Sequence, residues 1–298
     1  MPILAAPRMP GNPFKDCAHN IYSQSGEDGI VGTILDRLPR DNWCVEFGAW
    51  DGVHLSNTYN LIANKDYKAV LIEADKKKFK RLSENMASHD VVLINKYVTF
   101  EGENRLDELL RETAIPLNFD FLSIDIDGCD YYIFESLKTY RPKLVCIEYN
   151  PSIPNEVSFV QSKDFKVKQG ASAKAIVDLA RQKRYTLVAT TAFNLLLLDE
   201  LLLPQLGLRD VPSLDQLRDD SDSKIYIFCG YDGTLITDKP VKLVWGGLAV
   251  KQDQLQALPK FLRQFPEERG FIRKIVYRGY LFFHDPMKLV RLLKRPFG

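Results

Sequence analysis

Between residues 43 and 199 the chain alternates short apolar runs with stretches of helical periodicity. The apolar runs are rich in Val, Ile and Leu, and each has the length of a buried strand. This alternation predicts repeated β-α units that form a mostly parallel sheet with helices on both faces. We predict strands at residues 43–48, 68–74, 91–98, 119–126, 142–149, 185–190 and 194–199.

The last two predicted strands are separated only by residues 191–193. A parallel crossover needs a dozen or more residues, so we expect these two strands to form an antiparallel hairpin. The sheet should therefore carry one reversed strand at one edge. The ordinary dinucleotide-binding sheet stays parallel throughout, so the hairpin argues against that fold class.

Capping residues mark the starts of two helices. Ser25 precedes an acidic turn with Asp28 three residues further on, and Ser172 precedes a helical stretch at residues 173–183. Serine at this position accepts a hydrogen bond from a backbone N–H group of the first turn.

Beyond residue 203 the pattern breaks into short pieces that proline interrupts. We predict strands at 224–229 and 241–245, a turn at Asp232 and Gly233, and helical stretches after Gln252 and after Pro286. The chain thus divides into an N-terminal arm at residues 1–20, an α/β domain at 21–203 and an α+β C-terminal extension at 204–298.

Composition excludes several classes of protein. With 45% hydrophobic residues and a formal net charge of +1, the chain is neither disordered nor charged enough overall to attract nucleic acid. Neither a secretory leader nor an apolar stretch of about 18 residues is present, so we expect a cytoplasmic protein. The five cysteines form no Cys-x-x-Cys pair, and we interpret them as buried thiols.

The first predicted strand leads into acidic and small residues, Glu46, Gly48, Ala49 and Asp51. Small residues after a buried strand let a ligand approach the backbone at the carboxyl edge of the sheet. The spacing of the glycines differs from the G-x-G-x-x-G cradle for pyrophosphate, which disfavours a nicotinamide cofactor. Acidic residues suit a cationic sulfonium cofactor better, and a simple tight turn is the structural alternative.

The second predicted strand ends in Glu73, Ala74 and Asp75. An acidic side chain about twenty residues beyond the first glycine turn is placed to accept hydrogen bonds from both ribose hydroxyls of a nucleoside. We assign this role to Glu73, whereas Asp75 is expected to cap the next helix.

Carboxylates also follow the fourth and fifth predicted strands, at Asp125, Asp127 and Glu148, with Asn150 close behind. They should converge on one crevice, where a cation, a proton or hydrogen-bond donors must relieve their repulsion. We predict that they hold either acceptor hydroxyls or a hard cation such as Mg²⁺ or Mn²⁺. Capping of the next helix is an equal alternative for Asp127 and Asp130.

Two of these carboxylates and one histidine are candidate catalytic residues. Asp127 and Glu148 could take the proton of an acceptor, and His54 lies just after the first glycine turn, near the predicted crevice. A lone histidine is more often a surface residue than a base.

Five motifs follow one another along the chain. They are Ser23-Gln24-Ser25-Gly26-Glu27-Asp28-Gly29, Val45-Glu46-Phe47-Gly48-Ala49-Trp50-Asp51-Gly52, Ile124-Asp125-Ile126-Asp127-Gly128, Glu148-Tyr149-Asn150-Pro151 and Gly170-Ala171-Ser172. Their order resembles that of FkbM-type methyltransferases. The resemblance covers residues 21–203. It implies a Rossmann-like doubly wound α/β sheet of the class I methyltransferase type, with one antiparallel edge strand.

The same resemblance implies S-adenosyl-L-methionine as the methyl donor, and a hydroxyl of a sugar or small metabolite, free or in a glycan, as the acceptor. The family positions for donor binding fall on Glu46, Gly48, Asp51, Glu73 and Asp125. This chain departs from the family at the fourth strand, where the usual Asp-x-Glu-Gly reads Asp125-Ile126-Asp127-Gly128.

Two other functions compete with methyl transfer. The motifs that begin at Asp125 and at Tyr231 are similar to the Asp-x-Asp-Gly-Thr loop of haloacid-dehalogenase-type phosphatases, in which the first Asp is the nucleophile. Neither motif is complete, because Cys129 replaces the threonine of the first and Gly230 replaces the nucleophile of the second. The other alternative is a non-catalytic binding protein that keeps the methyltransferase fold.

The segment 271–298 is strongly basic, with seven Lys and Arg against one Asp, a net charge of +6. Asp285 and Pro286 are expected to start a helix that has basic and apolar faces. This helix either docks on the domain or contacts an anionic membrane, where lipid-linked glycans would be acceptors.

Overall fold

The computed structural model describes residues 13–208 and 210–284. The chain forms two compact units, of which the first ends at Ser223 and the second begins at Lys224. The first unit extends past residue 203 because the following segment packs on it. Thr190 Oγ1 donates to the carbonyl of Leu217, and the Asn155 side chain donates to Asp215 and to the carbonyl of Arg218.

A seven-stranded sheet forms the centre of the first unit. Its strands are β1 (Trp43–Phe47), β2 (Lys68–Ile72), β3 (Val91–Ile94), β4 (Phe121–Ile124), β5 (Leu144–Glu148), β6 (Tyr185–Thr190) and β7 (Asn194–Asp199). Their order is β3-β2-β1-β4-β5-β7-β6. β7 is antiparallel to both of its neighbours, and the pairs among β1 to β5 are parallel.

This sheet confirms the predicted class I methyltransferase fold, including the terminal hairpin. All seven predicted strands are present, and β6 and β7 have the predicted bounds. The other five end one to four residues earlier than expected, because the sheet gives way to loops at its carboxyl edge. The reversed strand, β7, lies one place in from the edge that β6 forms.

The helices of the first unit are α1 (Glu27–Leu35), α2 (Tyr59–Asn64), α3 (Lys76–Asn85), α4 (Leu106–Arg111), α5 (Asp130–Ser136), α6 (Ala173–Gln182) and α7 (Leu214–Leu217). Two hydrophobic clusters divide them between the faces of the sheet. Side chains of α1, α2 and α3 belong to one cluster, and those of α4, α5 and α6 belong to the other. Alternate residues of each strand point to opposite faces, so every strand contributes to both clusters.

The capping predictions have mixed outcomes. Ser172 accepts from the N–H of Ala175 at 3.2 Å, and Asp75 accepts from the N–H groups of Lys77 and Lys78. The prediction for Ser25 is wrong, since α1 begins after Gly26, whose φ of +97° places it in the left-handed region. Glycine has no Cβ atom, so it can adopt that conformation and direct the chain into the helix.

A buried ion pair lies at the opposite, amino edge of the sheet. Lys143 Nζ donates to Asp120 at 2.8 Å, to Asp41 at 2.7 Å and to the carbonyl of Pro39 at 2.8 Å. The Asp120 carboxylate also accepts from the backbone N–H groups of Asp41 and Asn42. Because Asp120 is fully buried, these donors are what makes its charge tolerable.

The second unit consists of short elements. Two hairpins pair β8 (Ile227–Cys229) with β9 (Leu235–Thr237) and β10 (Val241–Leu243) with β11 (Leu248–Val250). The predicted turn at Asp232 and Gly233 joins the first hairpin, and the stretch after Gln252 is a 3-10 helix that ends at Leu255. A longer helix, α8, spans Phe271–His284 and was not predicted.

Some predictions fall outside the described residues or need correction. The helix predicted after Pro286, much of the basic tail and residues 1–12 of the predicted arm lie outside them. Cys44, Cys129 and Cys146 are buried thiols as expected, but Cys17 is half-buried and Cys229 is exposed. Across residues 13–208 and 210–284, none of the helices combines the length and the apolar character that crossing a membrane requires.

Candidate functional site

The carboxyl edge of the sheet carries a row of acidic residues. Phe47 is in register with Ile72 of β2 and Ile124 of β4, and Ile124 is in register with Ile147 of β5. The next residue of each strand therefore belongs to one row across the edge, which consists of Glu73, Gly48, Asp125 and Glu148. We call this set the edge row. Ligands of open α/β sheets bind outside this edge.

Gly48 is the gap in the edge row. Its φ of +74° favours glycine, and a Cβ atom there would lie 2.2 Å from the carbonyl oxygen of Asp125. The loop after β1 thus passes directly against the end of β4. Only a residue without a side chain permits this close approach, so the edge row has no side chain between Glu73 and Asp125.

Glu73 joins the loops that follow β1 and β2. Its carboxylate is buried and accepts from the N–H of Trp50 at 2.9 Å and from the N–H of Asp75 at 2.7 Å. The carbonyl groups of Glu73 and Ala74 accept from the Asn95 side chain. Each Glu73 oxygen has a second lone pair, so the ribose role stays a prediction that this geometry permits.

The carboxylate of Glu46, which we expected to contact the donor, is surrounded by hydrogen-bond donors of the protein itself. Its buried carboxylate accepts from Ser56 Oγ at 2.6 Å, from Thr58 Oγ1 at 2.7 Å and from the N–H of Asn57 at 2.9 Å. Burial raises the pKa of Glu46 although these donors oppose the rise. The side chain therefore anchors the loop between β1 and α2 from within the protein.

Asp51 and His54 lie on that same loop. Asp51 Oδ1 accepts from the N–H groups of Val53 and His54; burial alone would raise the pKa of Asp51, but these two donors outweigh it and lower the pKa. The ring of His54 packs edge-to-face on Trp50 with centroids 5.3 Å apart. Ala49 is buried, and its N–H donates to the carbonyl of Ile72.

Carboxylate oxygens of Asp125, Asp127 and Glu148 all lie within 4.8 Å of one another. We call these three residues the acidic cluster. Asp125 is exposed at the mouth of the cleft, yet the loss of surrounding water there, followed by the charges of Asp130 and Asp127, raises the pKa of Asp125 to about 7. Burial and the charge of Asp125 raise the pKa of Glu148 to about 9. The predicted convergence of these side chains is thus present, and desolvation together with their mutual repulsion favours their protonated forms.

Asp130 caps the start of the next helix, which was one of the two alternatives predicted for Asp127 and Asp130. Its carboxylate accepts from the N–H groups of Ile126 and Gly128, both at 2.9 Å, at the start of α5. Asp127 makes no such bond among the described residues; its backbone has a φ of +56°, and its side chain is exposed in the acidic cluster.

Neighbouring groups limit what the acidic cluster can bind. Asn150, the predicted fourth ligand, accepts from the backbone and hydroxyl of Ser152 and donates to the carbonyl of Gln169. It therefore orders its own loop. Lys168 donates to the carbonyl of Ile126 at 3.0 Å, and its charge partly offsets the raised pKa of Glu148. The comparisons below give no support to a divalent cation.

The structure adds functional candidates that the motif analysis did not assign. Glu27 is fully buried in the first turn of α1 and accepts from Thr191 Oγ1 at 2.6 Å and from Asn194 Nδ2 at 3.0 Å. Asn194 is the register partner of Glu148. Glu27 thereby ties the N-terminal motif to the hairpin beside the edge row. The signal available in the sequence was an acidic pair, Glu27 and Asp28, at the start of an apolar helix.

Gln161 holds the segment that follows β5. Its Oε1 accepts from the N–H groups of Gln169 and Gly170, and its Nε2 donates to the carbonyl of Val167 at 2.8 Å. Nothing in the local sequence distinguishes this glutamine from a surface one. Its buried amide shapes the loop that carries Lys168.

Comparison with known families supports the motif analysis. Residues 101–185 match the family model described as the methyltransferase FkbM domain. This stretch contains Asp125, Asp127, Glu148 and Asn150, and the match confirms the predicted resemblance to FkbM-type methyltransferases. No curated protein matches the chain significantly.

Several solved structures resemble the chain weakly. They include the amino pentose methyltransferase CalS10 of Micromonospora echinaspora (9% identity, 41% of this chain and 48% of that chain, TM-score 0.29). M. capricolum TrmK bound to S-adenosyl-homocysteine (13%, 57% and 67%, 0.35) and an Aquifex aeolicus SAM-dependent methyltransferase (11%, 57% and 89%, 0.33) are further examples. The chain spans about half the length of CalS10. The strand order, and not these low scores, identifies the fold.

Proposed function

We propose that this protein is an S-adenosyl-L-methionine-dependent methyltransferase that methylates a hydroxyl of a sugar or small metabolite. The observation that carries the proposal is the edge row, in which Gly48 interrupts a line of carboxylates at the carboxyl edge of a class I methyltransferase sheet. The FkbM match over residues 101–185 supports the same activity.

The chemistry of the cleft fits this donor. S-adenosyl-L-methionine carries a sulfonium and an ammonium group, and Asp125 and Glu148 are acids whose pKa values are raised by desolvation and by the neighbouring carboxylates. A cation beside them would stabilise their ionised forms. Glu73 would accept from the ribose, and Asp51 and Ala49 belong to the loop that would line the methionine end.

Methyl transfer forms a bond between the acceptor oxygen and the methyl carbon, and it breaks the bond between that carbon and sulfur. The hydroxyl proton must pass to a base, and the protein must align the two reactants. Asp127 and Glu148 are the carboxylates placed for this role. Glu148 is protonated at neutral pH in the free protein because its pKa is about 9, so the positive donor must bind first for it to act as a base.

His54 stays a less favoured candidate base. Among the described residues, the group of side chains close enough to share an ion holds three carboxylates and no histidine. The phosphatase alternative also loses ground at its second motif. Asp232 is bonded to the backbone and hydroxyl of Thr234 in a hairpin turn, and Gly230 offers no nucleophile.

Calorimetric titration separates these functions. We expect S-adenosyl-L-methionine and S-adenosylhomocysteine to bind, and NAD and a phosphate analogue to give no heat above dilution. Asp125→Asn should weaken the binding of S-adenosyl-L-methionine. Asp90→Asn is the matched control, because Asp90 precedes β3 at the opposite edge of the sheet. Binding of phosphate alone would overturn the proposal in favour of a phosphatase, and binding of neither nucleoside would also refute it.

A transfer assay then tests the acceptor class. The protein is incubated with labelled donor and with sugars, small alcohols and amines, with and without a chelator. Label on oxygen supports the proposal, whereas label only on nitrogen or carbon overturns the acceptor assignment. Full activity in chelator would remove the predicted Mg²⁺ or Mn²⁺ site.

A further inference from the structure

Helix α8 has an apolar face that is exposed to solvent. Its exposed large hydrophobic residues are Phe271, Ile272, Ile275, Val276, Phe282 and Phe283. With 3.6 residues per turn, these six occupy about 140° of the helix circumference. Phe271 and Phe283 retain 80% and 81% of their accessible surface. Six large apolar side chains on one open face are more than scattered exposure explains.

The opposite side of α8 makes the helix's contacts within the second unit. The hydroxyl of Tyr280 donates to the carbonyl of Ala257 at 2.6 Å, and the guanidinium of Arg269 lies 3.8 Å from the centre of the Tyr277 ring. Tyr277 and Tyr280 are half-buried there. The usual arrangement of an amphipathic helix is therefore reversed, because α8 docks through its polar aromatic side and presents its apolar side outward.

The charged side chains of α8 itself are all positive. Lys274 and Arg278 flank the apolar face along one border, and α8 contains no acidic residue. The basic character continues in the sequence, since residues 271–298 carry a net +6. A second copy of this chain would bring two such segments together and repel. An anionic lipid surface has the complementary charge and an apolar layer beneath it.

We propose that α8 binds an anionic phospholipid bilayer, lying in the plane of its interface with the apolar face towards the acyl chains. Its length of about 21 Å and its basic border suit an interfacial position. Lys274 and Arg278 would extend their charged ends to the phosphates while their methylene stems stay with the apolar face. This inference is independent of the proposed methyl transfer.

Vesicle co-sedimentation of the full chain tests the proposal. We expect binding to phosphatidylcholine vesicles that contain phosphatidylserine, weaker binding at high salt, and little binding to phosphatidylcholine alone. The double variant Lys274→Gln and Arg278→Gln should lower the partition coefficient roughly thirtyfold, from about 1 kcal/mol per basic residue. Ile275→Asp with Phe283→Asp should abolish binding even at low salt.

Leu201→Asp is the matched control, because Leu201 is an exposed leucine of the first unit, outside α8. All these positions are exposed, so unchanged thermal unfolding and circular dichroism should verify the fold of each variant. Equal sedimentation of the wild type and the α8 variants would overturn the proposal. A concentration-dependent dimer that Ile275→Asp dissociates, with no vesicle binding, would also overturn it and identify a self-association face.

Discussion

Acidification should weaken the binding of S-adenosyl-L-methionine through Asp125. The pKa of this side chain is about 7 in the free protein, because partial desolvation in the cleft and the charges of Asp130 and Asp127 disfavour its ionised form. A cationic donor binds best to the carboxylate, so protonation competes with binding. The free protein should therefore release a proton when the donor binds near neutral pH.

The magnitude follows from that pKa. At pH 6 about ten proteins in eleven carry a proton on Asp125, and at pH 8 about one in eleven does. The apparent dissociation constant should therefore rise about tenfold from pH 8 to pH 6. Glu148, with a pKa of about 9, adds a second step above pH 8, and the two steps belong to the pair of carboxylates.

Titration calorimetry from pH 6 to pH 8 measures this effect, in two buffers of different ionisation enthalpy to count the released protons. The donor's own amino group titrates in the same range, so the useful quantity is the ratio of wild-type to Asp125→Asn affinity. That ratio should fall about tenfold on acidification. A ratio that stays constant from pH 6 to pH 8 would refute the reasoning.

The same group predicts how stability depends on pH. A raised pKa in the folded state means that the folded chain holds a proton that the unfolded chain releases. The contribution of Asp125 to stability is therefore lost as the pH rises from about 4, the ordinary value for an aspartate, through about 7. Asp125→Asn should raise the unfolding temperature more at pH 8 than at pH 5. An equal change at both values would contradict this assignment.

Three further substitutions or modifications give independent tests. Gly48→Ala should abolish nucleoside binding and lower the unfolding temperature, because its Cβ would meet the carbonyl of Asp125. The control Gly102→Ala has a similar positive φ but open space around its Cβ, so its free energy of unfolding should fall by only about 1–2 kcal/mol. Equal urea denaturation curves of the two variants would contradict the close approach. Lys143→Met should lower the free energy of unfolding by about 3–5 kcal/mol, because Asp120 keeps a buried charge. The control is Asp36→Asn, which removes the exposed partner of Arg40 and Lys65 and should change that free energy by no more than about 1 kcal/mol. A thiol reagent should modify exposed Cys229 readily and Cys146 not at all, since burial and neighbouring carboxylates raise the pKa of Cys146; mass spectrometry of the labelled peptides would reveal the opposite order.

The strands were predictable because each is a local property of the chain. Apolar runs report burial whatever their neighbours are, so β6 and β7 were predicted with their observed bounds. The three-residue gap between them required an antiparallel hairpin for a purely geometric reason. Ser172 and Asp75 were equally local, since a capping side chain bonds within its own first turn.

Helix α8 was not predicted because its local sequence signals are weak. Gly279 and the β-branched Ile272, Ile275 and Val276 lower its helix propensity, and the marked helix start lay later, at Asp285. Contacts through Tyr277 and Tyr280 supply the stabilisation that helix propensity alone does not give. Which of its faces is open could be read only from those contacts.

The sequence by itself determined which acidic residues follow the strands, and the family motifs named them. Only the tertiary structure decided what each one does, because the same glutamate at a strand end can face a ligand, a loop or another carboxylate. Glu46 is enclosed by Ser56, Asn57 and Thr58, whereas Asp125 and Glu148 come together across neighbouring strands. Electrostatic repulsion acts through space between residues that are far apart in the chain, so the pKa values that give this cleft its chemistry arise only when the sheet is assembled.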